Sequence, residues 1–273
     1  MKKLNYKLIV SDFDGTLIDN KQCVPEKVRN AINEYVAAGG IFAVCTGRML
    51  RSILPRVRAL GLKGLVVAHQ GAVIADIESG KLIRNERLSY TDTAEICQVI
   101  NGLGFSINAF SEDFIYSDIS RDDTGLKIYE SIIGVETTFV GNVTEYVTAN
   151  KISAQKVAAL VEPEFRDGLY TELSKRLGNK YDVTCSAKVL VEVSKAGVTK
   201  GEALKFLGGH FGVLMEKTVA IGDNLNDLSM VKVAGVGVAV ANAEKQLKAE
   251  ADFIAVSNND GAVAQIIEKY GFA

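Results

Sequence analysis

Short apolar runs alternate along the chain with stretches in which apolar residues recur every three or four positions. The run at 8–13 is apolar until acidic residues enter at its end, which is typical of a strand buried in a parallel sheet. Apolar residues at 28–36 then share one helical face, and Gly39 and Gly40 end that helix. Further strands are predicted at 41–45, 65–68 and 72–75, with a helix that kinks or restarts at Pro55. This alternation predicts an α/β sheet.

The pattern changes between about residue 84 and residue 193, where polar and charged residues are denser. Helices are predicted there at 91–103, 124–132 and 164–177, and strands at 153–160, 181–186 and 189–193. From Lys200 the first pattern resumes, with helices predicted at 200–211, 226–234, 243–249 and 261–270 and strands at 218–221, 236–240 and 253–256. We therefore predict a core domain of residues 1–84 and 194–273, interrupted by an inserted α+β domain of residues 85–193.

The composition and net charge of the chain limit the kinds of molecule that it is expected to bind. The chain has 273 residues, of which 48% are hydrophobic and 23% charged, and its net charge is −2. Such a chain has no basic field to attract nucleic acid or an anionic membrane. The apolar run near the N-terminus is too short for a signal segment or a membrane span. We expect a soluble cytoplasmic protein without a nucleic-acid or membrane partner, and the lack of a heptad pattern favours a monomer.

The cysteines carry no chemical signal of their own. None of Cys23, Cys45, Cys97 and Cys185 forms a C-x-x-C pair or has a histidine beside it. Neither a disulfide framework nor a zinc site is therefore predicted, and a reducing cytoplasm fits. Each cysteine is expected to be a small apolar residue that is buried or half-buried.

The strongest chemical signal follows the first predicted strand, in the sequence Asp12-Phe13-Asp14-Gly15-Thr16. Alternate residues of a strand point to the same side, so Asp12 and Asp14 are aimed together. At the carboxyl end of a parallel strand, near a switch in strand order, that side faces a ligand crevice. Two carboxylates held together repel each other, and Mg²⁺ prefers such oxygen ligands. A magnesium site is predicted here, although a solvated acidic turn has the same short motif.

Two further motifs are typical of phosphate binding. Thr46, Gly47 and Arg48 follow the second predicted strand, where a hydroxyl and an accessible N–H before a helix can hold a phosphate. Thr46 is equally suited to be an ordinary helix N-cap. Lys200 opens a predicted helix, although cations are disfavoured at helix N-termini. Either an anion lies near this lysine or its long side chain escapes to the surface.

The last motif, Gly222-Asp223-Asn224-Leu225-Asn226-Asp227, follows the strand predicted at 218–221. Asp223 falls at the end of that strand, and Asn226 and Asp227 fall on the first turn of the next helix. Asp and Asn also serve as ordinary helix caps. Two acids and an amide beside a second acidic strand end nevertheless favour a metal site.

The four motifs, in this order along the chain, resemble those of the haloacid dehalogenase superfamily of phosphotransferases. The insert between Thr46 and Lys200 resembles the branch with a large α/β cap, and the segments 197–201, 222–227 and 260–264 resemble the Cof-type hydrolases. The resemblance implies a Rossmann-like, doubly wound parallel sheet with an inserted cap domain. It also implies a phosphatase that requires Mg²⁺.

The resemblance further implies roles for single residues. Asp12 would be the nucleophile that forms an aspartyl phosphate, and Asp14 the general acid and then the general base. The residues expected to contact the substrate are Phe13, Thr46, Gly47, Arg48, Lys200 and Asn226. The metal site would be formed by Asp12, the backbone carbonyl of Asp14, Asp223 and Asp227, the last supporting either the metal or Lys200. For Arg48, pairing with an acid at the pocket mouth is an equal alternative.

The chain departs from the family pattern after the third strand. Family members often carry Asn before a Gly-Ala pair, whereas this chain has Gln70 there, preceded by His69. The role of Gln70 is therefore open, and His69 is predicted to be structural. The expected substrate is a small phosphorylated metabolite, with a sugar phosphate favoured over cofactor phosphates and phosphorylated acids. A phosphomutase, a sucrose-phosphatase-like enzyme and a non-catalytic protein that binds a phosphorylated ligand are the alternatives.

Overall fold

The computed structural model describes residues 3–119 and 123–273. In chain order, the strands are β1 (Leu8–Ser11), β2 (Ile41–Cys45), β3 (Leu65–Ala68), β4 (Val73–Asp76), β5 (Leu82–Asn85), β6 (Ile107–Ser111), β7 (Phe114–Ser117), β8 (Thr138–Phe139), β9 (Lys156–Leu160), β10 (Tyr181–Ala187), β11 (Leu190–Lys195), β12 (Thr218–Gly222), β13 (Val236–Ala239) and β14 (Phe253–Ile254). The α-helices are α1 (Glu26–Ala37), α2 (Leu50–Ala59), α3 (Tyr90–Gly102), α4 (Thr124–Ile133), α5 (Val143–Ala149), α6 (Pro163–Leu177), α7 (Lys200–Phe211), α8 (Leu228–Val233), α9 (Lys245–Glu250) and α10 (Ala262–Ile266). None of these helices is long and apolar enough to cross a membrane.

The described residues divide into two compact units. The first takes in the chain up to Thr46, Arg56–Ile83 and Thr199–Ala273, and the second takes in Gly47–Pro55 and Arg84–Val198. The sequence prediction assigned residues 47–55, 84 and 194–198 to the core, whereas the structure groups them with the inserted part of the chain.

The sheet of the first unit has the strand order β14-β13-β12-β1-β2-β3-β4-β5. β1 pairs in parallel with β2 on one side and with β12 on the other, while β3 and β4 pair antiparallel. The chain moves outwards from β1 to β3 and later returns to β12, so the strand order switches between β1 and β12. Ligands of open parallel sheets bind at such a switch point, beyond the carboxyl ends of the strands.

The core of the first unit explains why its strands read as continuous apolar runs. All four residues of β1 and all five of β12 are buried, as expected for strands covered on both faces. Leu204 and Leu207 of α7 and Met230 of α8 join Val10 and Val67 of the sheet in one apolar cluster. This packing fixes the start of α7, and hence Lys200, against the sheet.

The second unit is built on a sheet with the order β10-β11-β9-β6-β7-β8, in which β7 and β8 pair in parallel. α3 and α6 pack against this sheet. The segment Gly47–Pro55 joins the unit through Met49, which lies in the same apolar cluster as Phe110 and Ile133. Ser52 Oγ also donates a hydrogen bond to the carbonyl of Ile133 at the end of α4. These contacts explain why residues 47–55 belong to this unit.

The predicted fold class, an α/β protein with a parallel core sheet and a second α+β part, is confirmed. The helix predicted at 200–211 is α7, and that at 124–132 corresponds to α4. Of the kink or restart predicted at Pro55, the restart is wrong, because α2 continues through that residue, while the kink stays a prediction. α5 was not predicted, since its β-branched valines and threonines disfavour a helix. Its N-cap Asn142 compensates by accepting a hydrogen bond from the N–H of Glu145 at 3.1 Å.

Candidate functional site

Lys200 is the first residue of α7 and is only 1% exposed. Its Nζ donates hydrogen bonds to Asp12 Oδ1 at 2.5 Å and to Asp227 Oδ1 at 2.6 Å. Burial lowers the pKa of this lysine, but the carboxylates of Asp12 and Asp227 outweigh it and hold the pKa above its usual value. Lys200 is therefore a buried cation between two acids, and the surface-lysine alternative is wrong.

Asp12 lies directly after β1 and is 6% exposed. Its N–H donates to the carbonyl of Ile221 in β12 at 2.9 Å, which ties it to the switch point. Burial is the main cause that raises the pKa of Asp12; Lys200 lowers it, and the charges of Asp227, Asp223 and Asp14 raise it again. The single positive charge of Lys200 therefore does not balance the negative charges of the carboxylates around it. Asp14 itself lies half-buried in the loop that follows Asp12.

Asp223 directly follows β12, on the strand next to β1. Burial first, and then the charge of Asp227, raise its pKa to about 7, while Lys200 and a hydrogen bond from Thr16 lower it. That bond joins Thr16 Oγ1 to Asp223 Oδ1 at 3.0 Å. Gly15 has a φ of +72°, and a Cβ there would lie 2.5 Å from Asp223 Oδ2. Only glycine therefore lets the Asp12 loop approach Asp223 so closely.

Asp227 is fully buried, and hydrogen bonds engage both of its carboxylate oxygens. Oδ1 accepts from Lys200, while Oδ2 accepts from the N–H groups of Asp223 at 2.9 Å and Asn224 at 3.0 Å. Asp227 thus fixes both the lysine and the backbone that carries Asp223. The sequence left open whether Asp227 supports the metal or Lys200, and this geometry fits the support of Lys200.

Among the described residues, Asp12, Asp223 and Asp227 offer carboxylate oxygens that lie within 4.8 Å of one another. Carboxylate oxygens are the donors that hard cations such as Mg²⁺ prefer. The excess of buried negative charge over Lys200 would be relieved by a divalent cation. The residues present therefore fit Mg²⁺ in their chemistry.

Thr46 and Asn226 are linked to each other through Gln70. Thr46 follows β2, and its carbonyl accepts from the N–H of Gln70 at 3.0 Å. Asn226 lies on the tight turn after Asp223, and its Nδ2 donates to Gln70 Oε1 at 3.0 Å. The second motif and the last one thus meet at this glutamine.

Gly47, Arg48 and Phe13 have contacts that the sequence did not predict. Lys156 Nζ donates to the carbonyl of Gly47 at 2.9 Å. Arg48 is buried, and its Nη1 donates to the carbonyl of Ile132 at 2.8 Å. The last carbonyls of α4 lack partners within the helix, which explains this contact. The carbonyl of Ile132 is thus one partner of Arg48, and its pairing with an acid stays a prediction. The side chain of Phe13 is buried.

None of the four cysteines, all of which lie in the described part of the chain, forms a disulfide. Cys23 is exposed, unlike the prediction for this residue, and the others are buried. Burial raises the pKa of Cys45, at the end of β2, to about 12. Its thiol is therefore protonated and does not compete with Asp12 as a nucleophile.

Sequence reasoning assigned no role to Thr16 or Asn242 and left that of Gln70 open. Thr16 lies within the first motif, where a hydroxyl two residues after Asp14 could have been connected to a metal ligand. Asn242 follows β13, and its Nδ2 donates to the carbonyl of Gly15 at 2.8 Å. Asn242 could have been predicted as a site residue, because it lies beyond the carboxyl end of a parallel strand, where such sheets bind ligands.

Residues 9–267 match the family model of the haloacid dehalogenase-like hydrolases. YxeH of Bacillus subtilis, named as a candidate phosphatase, is 30% identical over 267 residues, which cover 97% of this chain and 98% of YxeH. YcsE of Bacillus subtilis, named as a 5-amino-6-(5-phospho-D-ribitylamino)uracil phosphatase, is 27% identical, with 98% of this chain and 96% of YcsE covered.

A solved structure of a haloacid dehalogenase-like hydrolase from Bacillus subtilis superposes with a TM-score of 0.83 at 26% identity, covering 96% of this chain and 99% of that one. The family that the four motifs indicated is thereby confirmed, and the matched region contains all of them. The chain belongs to the haloacid dehalogenase-like hydrolases.

Proposed function

We propose that this hydrolase is a magnesium-dependent phosphatase of small phosphorylated metabolites and that Asp12 is its nucleophile. The observation that carries the proposal is the buried contact of Lys200 with Asp12 and Asp227, beside Asp223 at the switch point of the sheet. This arrangement concentrates positive and negative groups where a phosphoryl group must be held and attacked.

In the first step, an oxygen of the Asp12 carboxylate attacks the phosphorus atom while the bond to the leaving oxygen breaks. Asp14 donates a proton to that oxygen, which leaves as an alcohol. Asp12 must be ionised to attack, and Lys200 favours the ionised form because it lowers the pKa of Asp12. The product of this step is an acyl phosphate on Asp12.

In the second step, Asp14 takes a proton from a water molecule, whose oxygen attacks the same phosphorus atom. The bond between phosphorus and Asp12 breaks, which releases inorganic phosphate and restores the carboxylate. Lys200 stays charged through both steps, since two acids hold its pKa high. Thr46 and Asn226 are proposed to hold phosphate oxygens, and the contacts expected of Gly47, Arg48 and Phe13 remain predictions.

Mg²⁺, when bound, would neutralise the phosphate oxygens and the attacking carboxylate together. Asp12, Asp223 and the backbone carbonyl of Asp14 are the proposed ligands. Asp227 is proposed to hold Lys200 and the Asp223 backbone, because both of its oxygens already accept hydrogen bonds.

A sugar phosphate or a phosphorylated sugar alcohol is the favoured substrate class. The name of YcsE describes a phosphatase whose substrate carries its phosphate on a ribityl chain. The second unit, through its position in the chain between Thr46 and Lys200, is proposed to be the cap that selects the leaving group.

The test is phosphate release from a panel of phosphorylated metabolites with and without Mg²⁺, comparing the native chain with Asp12→Asn. We expect Mg²⁺-dependent release that Asp12→Asn abolishes, with sugar phosphates among the best substrates. An isomeric sugar phosphate with little free phosphate would instead identify a mutase. Binding of phosphorylated compounds without any turnover would contradict the enzymatic proposal.

A further inference from the structure

The turn between β3 and β4 has an unusual backbone. His69 and Gln70 both adopt left-handed conformations, with φ values of +49° and +60°. Residues other than glycine rarely do so, and Asn and Asp tolerate this conformation better than Gln does. Both residues are buried, Gln70 to 3% exposure. A strained, buried turn persists only where its surroundings enforce it, and such turns are concentrated at functional sites.

The same turn packs against two segments of the proposed site. The N–H of Gln70 donates to the carbonyl of Thr46 at 3.0 Å. A Cβ on Gly71 would lie 2.6 Å from the carbonyl oxygen of Thr199, the residue before Lys200. The backbone of the turn is therefore fixed between the Thr46 strand end and the start of α7.

The side chain of Gln70 sets the direction of a second amide. Its Oε1 accepts the hydrogen bond from Asn226 Nδ2 at 3.0 Å, so the nitrogen of Asn226 points towards Gln70. Asn226 Oδ1 then points elsewhere, is buried, and has no hydrogen-bond partner among the residues described. Nδ2 carries two N–H groups, and Gln70 engages one of them, so the second can donate to a phosphate oxygen of the ligand.

We propose that Gln70 is a positioning residue, which holds the Asn226 amide in the orientation that binds the phosphorylated ligand. The inference rests on the proposed function, because Asn226 is a phosphate contact only there. Glutamine is needed for its reach: asparagine is shorter by one C–C bond, about 1.5 Å, and cannot span the 3.0 Å contact from the same backbone.

The variant Gln70→Asn tests separately two properties of residue 70, its left-handed backbone conformation and the length of its side chain. Asparagine suits the left-handed backbone better, so the unfolding temperature should stay the same or rise. Loss of the Asn226 contact should lower kcat/KM about tenfold and weaken the binding of inorganic phosphate, measured by calorimetry with Mg²⁺, by a similar factor. In an Asn226→Ala background, Gln70→Asn should add less than a twofold loss, because its effect passes through Asn226.

The matched control is Gln155→Asn. Gln155 is also a buried glutamine, whose amide accepts from the N–H of Glu112 at 2.8 Å and donates to Asn85 Oδ1 at 3.1 Å. This control should lose stability and keep its phosphate affinity. Native phosphate affinity and kcat/KM in Gln70→Asn, or independent losses in the double variant, would overturn the inference. If the native chain releases no phosphate at all, the proposed function fails, while the phosphate titration still decides the role of Gln70.

Discussion

Each of the two units buries a lysine against acidic side chains, but the charge balance differs. In the first unit, Lys200 contacts Asp12 and Asp227, and Asp223 is close enough to raise the pKa of Asp12 further. The acids outnumber the lysine; Lys200, Asp12 and Asp227 are buried, and Asp223 is half-buried.

In the second unit, Lys156 is 3% exposed and pairs with Glu192, which is 1% exposed. The same Nζ donates to the carbonyl of Gly47 and lies 4.6 Å from the centre of the Phe110 ring. The pair formed by this buried cation and this buried carboxylate is neutral in itself.

The difference separates a binding site from a structural pair. Burying a charge is costly unless an opposite charge and hydrogen bonds compensate it. The second unit meets that requirement by itself. In the first unit the acids exceed the lysine, and the proposed Mg²⁺ would supply the additional positive charge. The following variants test this difference between the units.

The largest expected effect is on turnover in Lys200→Met. Removing this charge should lower kcat by about 10²- to 10³-fold, the magnitude typical of a group that stabilises charge in a transition state. Lys195→Met is the control, since Lys195 pairs with Glu86 at the surface and its loss should leave kcat within about twofold. A Lys200→Met protein within tenfold of native kcat would contradict the role given to this lysine.

The next effect is on stability in the second unit. Lys156→Met removes one partner of a buried ion pair, which should lower the free energy of unfolding by about 3–5 kcal/mol. Replacing both, in Lys156→Met with Glu192→Leu, should recover most of that loss, as apolar replacements of buried pairs do. Denaturant unfolding measures both variants. If the double variant is as unstable as the single one, the pair does more than balance charge.

A smaller effect is the pH dependence of the response to Mg²⁺. The pKa of Asp223 is raised from 3.8 to about 7, so its proton stabilises the metal-free fold below 3.8 and this stabilisation is lost as the pH rises through about 7. Mg²⁺ competes with that proton. The increase in unfolding temperature caused by saturating Mg²⁺ should therefore be larger at pH 8 than at pH 5. Equal increases at both pH values would contradict a metal at Asp223.

The smallest effect is expected from Thr16→Val, which removes the hydrogen bond to Asp223 Oδ1. Loss of such a supporting contact should raise the Mg²⁺ concentration needed for half-maximal turnover about tenfold. Thr218→Val is the matched control, because the buried Thr218 hydroxyl donates to the carbonyl of Met215 at 2.6 Å, away from the acids. The control should lose stability without a change in the Mg²⁺ requirement; an equal change in both variants would remove Thr16 from the metal site.

The sequence was sufficient to predict those site residues whose position in the fold follows from the local pattern of strands and helices. A buried parallel strand followed by Asp12, and another followed by Asp223, predicted two strand ends that the structure brings together. The order of the elements then predicted the parallel sheet, because alternating strands and helices have few ways to pack. The place of Lys200 at a helix start left open both a nearby anion and a surface side chain, and its role was predicted from the resemblance to the family.

What the sequence could not give depends on contacts between distant segments. One partner of Arg48 is a carbonyl of α4, which lies 84 residues away in the chain. The left-handed turn at Gln70 is enforced by Thr46 and by the start of α7, and no local pattern contains that information. Likewise, only the fold shows that both oxygens of Asp227 are engaged.

The most direct test of the central claim is to look for the phosphoryl group on Asp12. The native chain and the Asp14→Asn variant would be mixed with Mg²⁺ and a phosphate ester with a good leaving group, quenched in acid, digested and analysed by mass spectrometry. We expect one added phosphoryl group on Asp12, and none in Asp12→Asn or without Mg²⁺. The phosphorylated fraction should be larger in Asp14→Asn, because hydrolysis of the acyl phosphate is slowed in that variant. Turnover that continues in Asp12→Asn, or a phosphoryl group on another residue, would contradict the central claim.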